Sequence, residues 1–232
     1  MKKNRWIVWL ICLLAIALTL ALGSMLPRSW HYLTSTLMIL ELLVPFFLAF
    51  EGRKPQAREL VLIAVLCALA VAGRVAIPIP NFKAIFAIIM ITGIAFGPET
   101  GFLVGAVSAL TSNFFYSQGP FTPWQMLAYG MGGMVFGLLF RRLPRKPWLM
   151  AVFGFAGVLL VVCPLLDTCT LVLSPIMLNL KNILAVYTVS LPMNLIQAGC
   201  TAAILLLLGK PLLEKLHRIQ TKYGLLSGKE NP

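Results

Sequence analysis

Residues 148–172 read WLMAVFGFAGVLLVVCPLLDTCTLV, and Asp167 is the one charged side chain among these 25 residues. A helix of that length extends about 38 Å, because an α-helix rises about 1.5 Å per residue. The hydrocarbon core of a bilayer is about 30 Å thick, so such a run is typical of a membrane-spanning helix. The segment predicts an integral membrane protein.

The rest of the chain has the same apolar character. Hydrophobic residues make up 59% of the 232 positions, charged residues 11%, and the mean hydropathy is +0.91. A soluble domain of this length needs more charge to cover its surface. We expect eight spans, at about 6–23, 31–50, 59–78, 84–97, 101–116, 123–140, 148–172 and 183–208. The fourth and fifth are short, but together they are too long for one span, and the Gly97–Thr100 turn separates them.

The net charge of +12 is distributed unevenly between the two sides of the membrane. With the N-terminus placed inside, 15 of the 19 Lys and Arg residues fall in inner segments, and the outer four are Arg28, Arg74, Lys83 and Lys181. This positive-inside bias predicts an even number of spans with both termini in the cytoplasm, and it explains the basic charge without a nucleic-acid partner. The basic start at Lys2 also suits a signal peptide, but the first apolar run is long for one and no clean cleavage site follows, so we expect it to be retained.

Motifs that would indicate an enzyme or a metal protein are missing from the sequence. The five cysteines have no CxxC spacing, Gly209-Lys210 lacks the GxxxxGK pattern of a phosphate-binding loop, and no HExxH occurs. The cysteines are expected to be small apolar helix residues, although Cys163 and Cys169 lie close enough in sequence to pair. We predict no enzymatic activity and no cofactor.

Small residues recur at helical spacing on several spans. Ala64, Ala68 and Ala72 are four apart, so they share one helix face and would let another helix approach closely. From spacing alone, packing within the same chain is the favoured explanation of this alanine stripe, and contact with a partner protein is the alternative. The glycines at 101 and 105 and at 133 and 137 are expected to serve internal packing.

The predicted outer loop 113–125 combines aromatic, polar and proline residues. Five aromatic side chains and two prolines are interleaved with Asn, Gln, Ser and Thr groups. An interfacial aromatic belt explains the aromatics but not the rigid polar positions between them. Rigid aromatic faces with a few placed polar groups are typical of a small-molecule pocket.

Isolated polar residues also occur at the predicted outer ends of the spans. Arg74 and Asp167 lie in apolar helices, and Asn194 and Gln197 are three apart on the last one. Such groups are costly in a membrane unless they pair or face a cavity, so an Arg74–Asp167 ion pair is an alternative to a ligand site. Glu41 is the one carboxylate predicted deep in the bilayer, and a proton relay would need further partners.

From about 58 to 208 the chain resembles the S components of energy-coupling factor (ECF) vitamin importers. The resemblance rests on the alanine stripe, on Asn113-Phe114-Phe115 and on the segment from Gly119 to Met126, and it is greatest to the cobalamin-type subfamily. It implies an all-α polytopic membrane protein with a six-helix core at 56–209. An extra two-helix hairpin and basic linker at 1–55 precede this core, and a charged cytoplasmic tail at 210–232 follows it.

The resemblance also implies a function. An S component binds a vitamin at its outer side, associates with a membrane coupling subunit that carries two cytoplasmic ATPase subunits, and resides in the bacterial plasma membrane. The stripe of Ala64, Ala68 and Ala72 would meet the coupling subunit. The expected substrate-binding residues are Arg74, Asn81, Lys83, Asn113, Phe115, Tyr116, Gln118, Trp124, Gln125, Asp167, Asn194 and Gln197.

The substrate is expected to be cobalamin or a related corrinoid, because its amides and apolar macrocycle suit aromatic and amide side chains. Another vitamin or micronutrient, such as riboflavin or queuosine, is the first alternative. A membrane scaffold or accessory subunit is the second. An ion-coupled carrier is a third, but inverted repeats and a mid-membrane acidic site are not visible.

Overall fold

The computed structural model describes residues 57–76, 79–80, 82–174 and 179–223, together with scattered positions between 11 and 44. Asn81, the linker 51–56 and the last residues from 224 onward lie outside the described residues. The described part contains helices and connections but no β-strand.

Six continuous helices make up the described bundle from residue 57 onward. They are α1 (Ala57–Val75), α2 (Ile85–Phe96), α3 (Pro98–Tyr116), α4 (Thr122–Leu139), α5 (Pro147–Leu173) and α6 (Leu180–Tyr223). One π-helical turn, Val158–Val162, interrupts the α-helical pattern of α5. These bounds agree with the six expected spans of the core to within a few residues, except at the end of α6.

The short helix α2 lies at the centre of the bundle. Eleven of its 12 residues are buried, and it packs against α1, α3, α4 and α6. A helix that is apolar on all sides needs protein around it, as α2 has. Its turn into α3 is tighter than expected from the sequence. Gly97 alone makes it, with a φ of 93° that favours glycine, and Pro98 already begins the next helix.

Glycines allow α2, α3 and α4 to approach at backbone distance. A Cβ atom on Gly101 would lie 2.7 Å from the carbonyl oxygen of Gly133 and 2.7 Å from the Cα atom of Gly93. A Cβ atom on Gly137 would lie 2.7 Å from Cα of Pro98. The expectation that these glycines serve internal packing is confirmed.

The outside of the bundle is apolar, as a lipid-facing surface must be. Val61, Val152, Leu160 and Leu207 are each more than half exposed. By length and hydropathy, two described helices are suited to cross a membrane, Pro147–Leu173 and Leu180–Lys222, and the shorter α2 is apolar as well. Exposed apolar side chains of this size on several helices are better explained by lipid than by water.

The two ends of the bundle differ in charge. The turn at Gly97 and the exposed Arg141, Arg142, Arg145 and Lys146 lie at one end. The described residues between α1 and α2 and the loop 117–121 lie at the other end. The charge distribution predicts that this end is outside, and it is called the outer end below.

The last helix continues beyond the predicted boundary at 209. It runs without a break through Pro211 to Tyr223, so the start of the charged tail is a rigid extension of the span. Leu213 and Leu216 are buried in the same hydrophobic cluster as Met150, and this packing stabilises the extension.

The N-terminal pair is helical at every described position from 11 to 22 and from 33 to 44. Thr19 of the first helix donates a hydrogen bond to Glu41 of the second, with 2.8 Å between the oxygens. Glu41 therefore joins the two helices of the pair, one of the roles its position had left open. Ile39 and Leu43 of the second helix are buried in the common core.

Candidate functional site

Arg74 occupies the outer end of α1 and points into the bundle. Its Nη1 atom donates to Oγ of Ser112 and, at 2.9 Å, to Oδ1 of Asn113. Its guanidinium carbon lies 5.0 Å from the ring centroid of Tyr116 and 5.5 Å from that of Tyr129. Neutral acceptors and aromatic faces therefore stabilise this cation in place of a carboxylate. We call Arg74 and these four partners the arginine cluster.

The expected alternative, an Arg74–Asp167 ion pair, is not formed. Asp167 instead accepts a hydrogen bond from Asn194, and among the described residues neither charged group has an ion-pair partner. The reason is the helix arrangement: α1 packs on α2 and α3, whereas the outer part of α5 packs on α4 and α6. The two groups belong to different polar clusters.

The loop between α3 and α4 is held by side-chain amides. The Nδ2 atom of Asn113 donates to Oε1 of Gln125 at 2.8 Å and to Oγ1 of Thr122 at 3.2 Å. Thr122 in turn donates to Oε1 of Gln118 at 2.9 Å, and Gln118 donates to the carbonyl oxygen of Leu110. Asn113 is fully buried, and both ends of its amide are bonded within the protein. It holds the loop to Arg74.

The aromatic residues of this loop face different surroundings. Phe115 is 66% exposed and lines a groove between α1 and α3, beside the alanine stripe rather than among the buried polar groups. Tyr116 donates from its hydroxyl to the carbonyl oxygen of Arg74 at 3.0 Å. Trp124 is buried, and its Nε1 atom has no hydrogen-bond partner among the described residues. The aromatic side chains of the loop therefore do not line one common pocket.

Asp167, Asn194 and Gln197 form a second cluster, called the carboxylate cluster. Asn194 donates from Nδ2 to Oδ2 of Asp167 at 2.9 Å and to Oγ of Ser190 at 3.4 Å. Asp167 is 7% exposed and Gln197 is 9% exposed. Within the described residues, the second carboxylate oxygen of Asp167 and the side-chain amide of Gln197 make no hydrogen bond. These two groups are available to a ligand.

The carboxylate cluster lies outward of the start of α2. Cys200, one turn inward from Gln197 on α6, donates from Sγ to the carbonyl oxygen of Lys83 at 3.4 Å. Because α2 has 12 residues and α3 has 19, α2 is about 10 Å shorter than its neighbour. The two helices meet at Gly97, so the missing length falls at the outer end. Lys83, just before α2, thus lies closer to the inner end of the bundle than Asn194 does.

The alanine stripe is on the surface of the chain. Ala64, Ala68 and Ala72 are all exposed, and they line an open groove of about 780 Å³. Val107, Thr111 and Phe115 of α3 form its opposite side. Among the described residues, packing within this chain therefore does not cover the stripe.

Four residues of the polar clusters and the loop were not among the substrate-binding residues expected from the sequence. Ser112, Thr122 and Tyr129 bond to or stack on the assigned residues, and Ser190 shares the amide of Asn194. The spacing of Ser112 next to Asn113 was a usable signal, because both lie within an otherwise apolar helix. Tyr129 and Ser190 had no such signal, since their roles depend on which helices are neighbours.

Comparison with known families adds one match. The family described as "ECF-type riboflavin transporter, S component" matches residues 54–214. The match supports the S-component resemblance but not its cobalamin-type subfamily. No curated protein and no solved structure matches the chain.

Proposed function

Because the chain belongs to the family of ECF-type riboflavin transporter S components, we propose that it captures a flavin, riboflavin first, at the outer end of the bundle. The family consists of substrate-binding transporter subunits of the bacterial plasma membrane and not of enzymes. The choice of a flavin as substrate is more specific than the general function of the family, and it replaces the corrinoid expected from the sequence.

The observation that carries this proposal is the carboxylate cluster with its unused hydrogen-bonding groups. A flavin ring has an imide edge, on which an N–H donor stands beside carbonyl acceptors. The free oxygen of Asp167 would accept from that N–H, and the amide of Gln197 would donate to an adjacent carbonyl. Both side chains are nine-tenths buried or more, so these bonds would form away from water, where they are strong.

The position of the cluster also suits a flat ring. The ring would occupy the level at which the short α2 has ended and its longer neighbours continue, between α1, α3, α4 and α6, the four helices that surround α2. An apolar tricyclic ring would fit there above Lys83, with its polar edge toward Asp167. A corrinoid presents many amides around a much larger ring, and the few unused polar groups here supply fewer partners than it needs.

For transport we propose the partners of the ECF system, namely a membrane coupling subunit and two cytoplasmic ATPase subunits. Support comes from the exposed alanine stripe and the apolar groove beside it, because small side chains let another helix approach closely. With the outer end outside, vitamin would bind on one side of the membrane while the ATPases act on the other. Both termini would then be cytoplasmic.

Titration of the purified protein in nanodiscs with riboflavin, cobalamin and queuosine tests the substrate. Quenching of riboflavin fluorescence is expected, with a Kd on the order of nanomolar to submicromolar, as is usual for capture sites. Tight cobalamin binding with none of riboflavin would restore the corrinoid assignment. If no vitamin in the panel binds, and Trp124→Ala and Asn113→Ala leave vitamin uptake by cells unchanged, the chain is a scaffold or accessory subunit.

A further inference from the structure

The N-terminal helix pair lies outside the matched range 54–214, yet it contacts the outer loop of the core. Its second helix presents one face to the core. Ile39 is 7% and Leu43 2% exposed, and both pack in the core cluster. On the other face Leu37 and Leu40 are each 44% exposed, as lipid-facing residues would be. The helix is therefore docked on the core along a defined face.

Thr36 lies on the docked face, one turn outward from Ile39. Its hydroxyl donates to the carbonyl oxygen of Pro120 with 3.4 Å between the oxygens. Residues 36, 39 and 43 follow the spacing of a single helix face, so the polar contact and the two buried side chains belong to one interface. That interface ends on the loop 117–121.

This loop is connected to the arginine cluster by an unbroken series of hydrogen bonds. The amide of Gly119 donates to Oγ1 of Thr122, Asn113 donates to the same oxygen, and Arg74 donates to Asn113. Ser117, at the start of the loop, has a φ of 84°, a conformation that side chains other than glycine adopt only when their surroundings hold them. The contact at Pro120 is therefore connected through this loop to the arginine cluster.

A hydrogen bond joins the two helices of the pair, and the described residues of the pair leave the alanine stripe exposed. The Thr19–Glu41 hydrogen bond ties its two helices together. Ala64, Ala68 and Ala72 are exposed with the pair in place. Its effect is thus confined to the outer end and leaves the proposed partner surface open.

We propose that the N-terminal helix pair is a strut that holds loop 117–121 in place at the outer end, the end proposed to take the vitamin, and so sets the rate of vitamin exchange. The effect on exchange rests on the proposed function, but the strut itself does not. Loosening the docked face would free the loop, and a freed loop would let vitamin leave faster. The vitamin would enter and leave past loop 117–121, and the exposed stripe of Ala64, Ala68 and Ala72 would be unchanged.

The test compares the full-length double variant T36V/I39A with wild type and with the lipid-facing control Leu40→Ala, all in nanodiscs. Hydrogen–deuterium exchange of residues 117–121 is expected to rise in the double variant and to stay at the wild-type level in the control. The dissociation rate of riboflavin is expected to rise roughly three- to tenfold in the double variant only.

The two readouts separate the possible failures. Unchanged exchange of residues 117–121 in a folded double variant would overturn the strut, whatever the vitamin data. Faster hydrogen exchange of residues 117–121 with an unchanged dissociation rate of riboflavin would overturn the proposed control of vitamin release by the helix pair. Faster exchange of the loop in a protein that binds no vitamin would support the strut and refute the proposed function. If the double variant fails to fold, Thr36→Val alone, which removes one hydroxyl, is measured against the same control.

Discussion

Nδ2 of Asn194 lies 2.9 Å from Oδ2 of Asp167, a contact that joins the last two helices of the bundle at the outer end. The contact uses one carboxylate oxygen and leaves the other for a ligand. It also holds the Asp167 side chain in one orientation. Two residues that are 27 positions apart in sequence thus form the polar edge of the proposed site.

Replacing Asp167 with Asn is expected to weaken riboflavin binding by about 10- to 100-fold, because a hydrogen bond to a charged group contributes about 1.5–3 kcal/mol. The change keeps the shape of the side chain and the contact with Asn194. Fluorescence titration measures it. Thr170→Val, at an exposed position three residues further along α5, is the matched control and is expected to bind as wild type. Equal affinity of D167N and wild type would remove Asp167 from the site.

Arg74→Lys is expected to lower the thermal unfolding temperature, although the charge is kept. Lysine has no planar guanidinium that stacks on Tyr116 and Tyr129 while one of its nitrogens donates to neighbouring side chains. About 2–3 kcal/mol of stabilisation is therefore lost. Differential scanning fluorimetry in detergent measures the change. Arg58→Lys, at the exposed inner end of the same helix, is expected to have no effect. If both variants unfold at the wild-type temperature, the arginine cluster does not stabilise the outer end.

Ala68→Trp is expected to abolish vitamin uptake while riboflavin binding to the isolated subunit stays at the wild-type level. The reason is that Ala68 is exposed in the groove, where a large ring would prevent another helix from approaching. Uptake by cells and binding to purified protein are measured side by side. Ala203→Trp, a similarly exposed position on α6, serves as control. Loss of binding together with uptake in A68W would show that the stripe packs within the subunit.

Gly101→Ala is expected to destabilise the bundle by about 1–3 kcal/mol, the usual cost of overpacking. Its Cβ atom would lie 2.7 Å from the Gly133 carbonyl oxygen, where neither backbone can move aside easily. Gly199→Ala is the control, because no atom lies within 4 Å of a Cβ atom there. That variant is expected to be neutral or to gain about 0.5–1 kcal/mol. Thermal unfolding distinguishes the two, and equal stability of both variants would contradict the close approach.

Ser117→Gly is expected to raise stability by about 1 kcal/mol, because Ser117 has a φ of 84° and a ψ of 150°, a region that glycine adopts without strain. Thermal unfolding of the full chain measures the gain. Ala185→Gly, at an exposed position inside a helix, is expected to lose about 1 kcal/mol and shows the ordinary effect of glycine. A loss of stability in S117G similar to that in A185G would mean that the backbone at this position is relaxed.

Much of the fold follows from the sequence because apolar runs of span length have few alternatives in lipid. The six helices from Ala57 onward, the separation of α2 from α3 and the packing role of Gly101 and Gly133 were all expected. The sequence left open whether the tail after Lys210 is helical, because a proline and nearby charges usually indicate the end of a helix, and the structure shows that α6 continues past Pro211. Burial of Leu213 and Leu216 stabilises that continuation.

The site was predictable in part. The sequence identified Arg74, Asp167, Asn194 and Gln197 as costly polar residues in apolar helices, since this inference needs no knowledge of neighbours. It could not tell whether Arg74 pairs with Asp167, because that depends on which helices touch. It also grouped Phe115 with the pocket, whereas the structure places that ring in the groove beside the stripe.

By itself, the sequence determined that this is an integral membrane protein and which end of its helix bundle is basic. It also identified the polar residues that interrupt the apolar helices. These properties depend on composition and on spacing along one helix. Only the tertiary structure decided that the exceptions form two clusters, that the alanine stripe is left uncovered, and that Thr36 reaches Pro120. Those relationships join residues tens of positions apart, and helix packing, not local pattern, sets which of them meet.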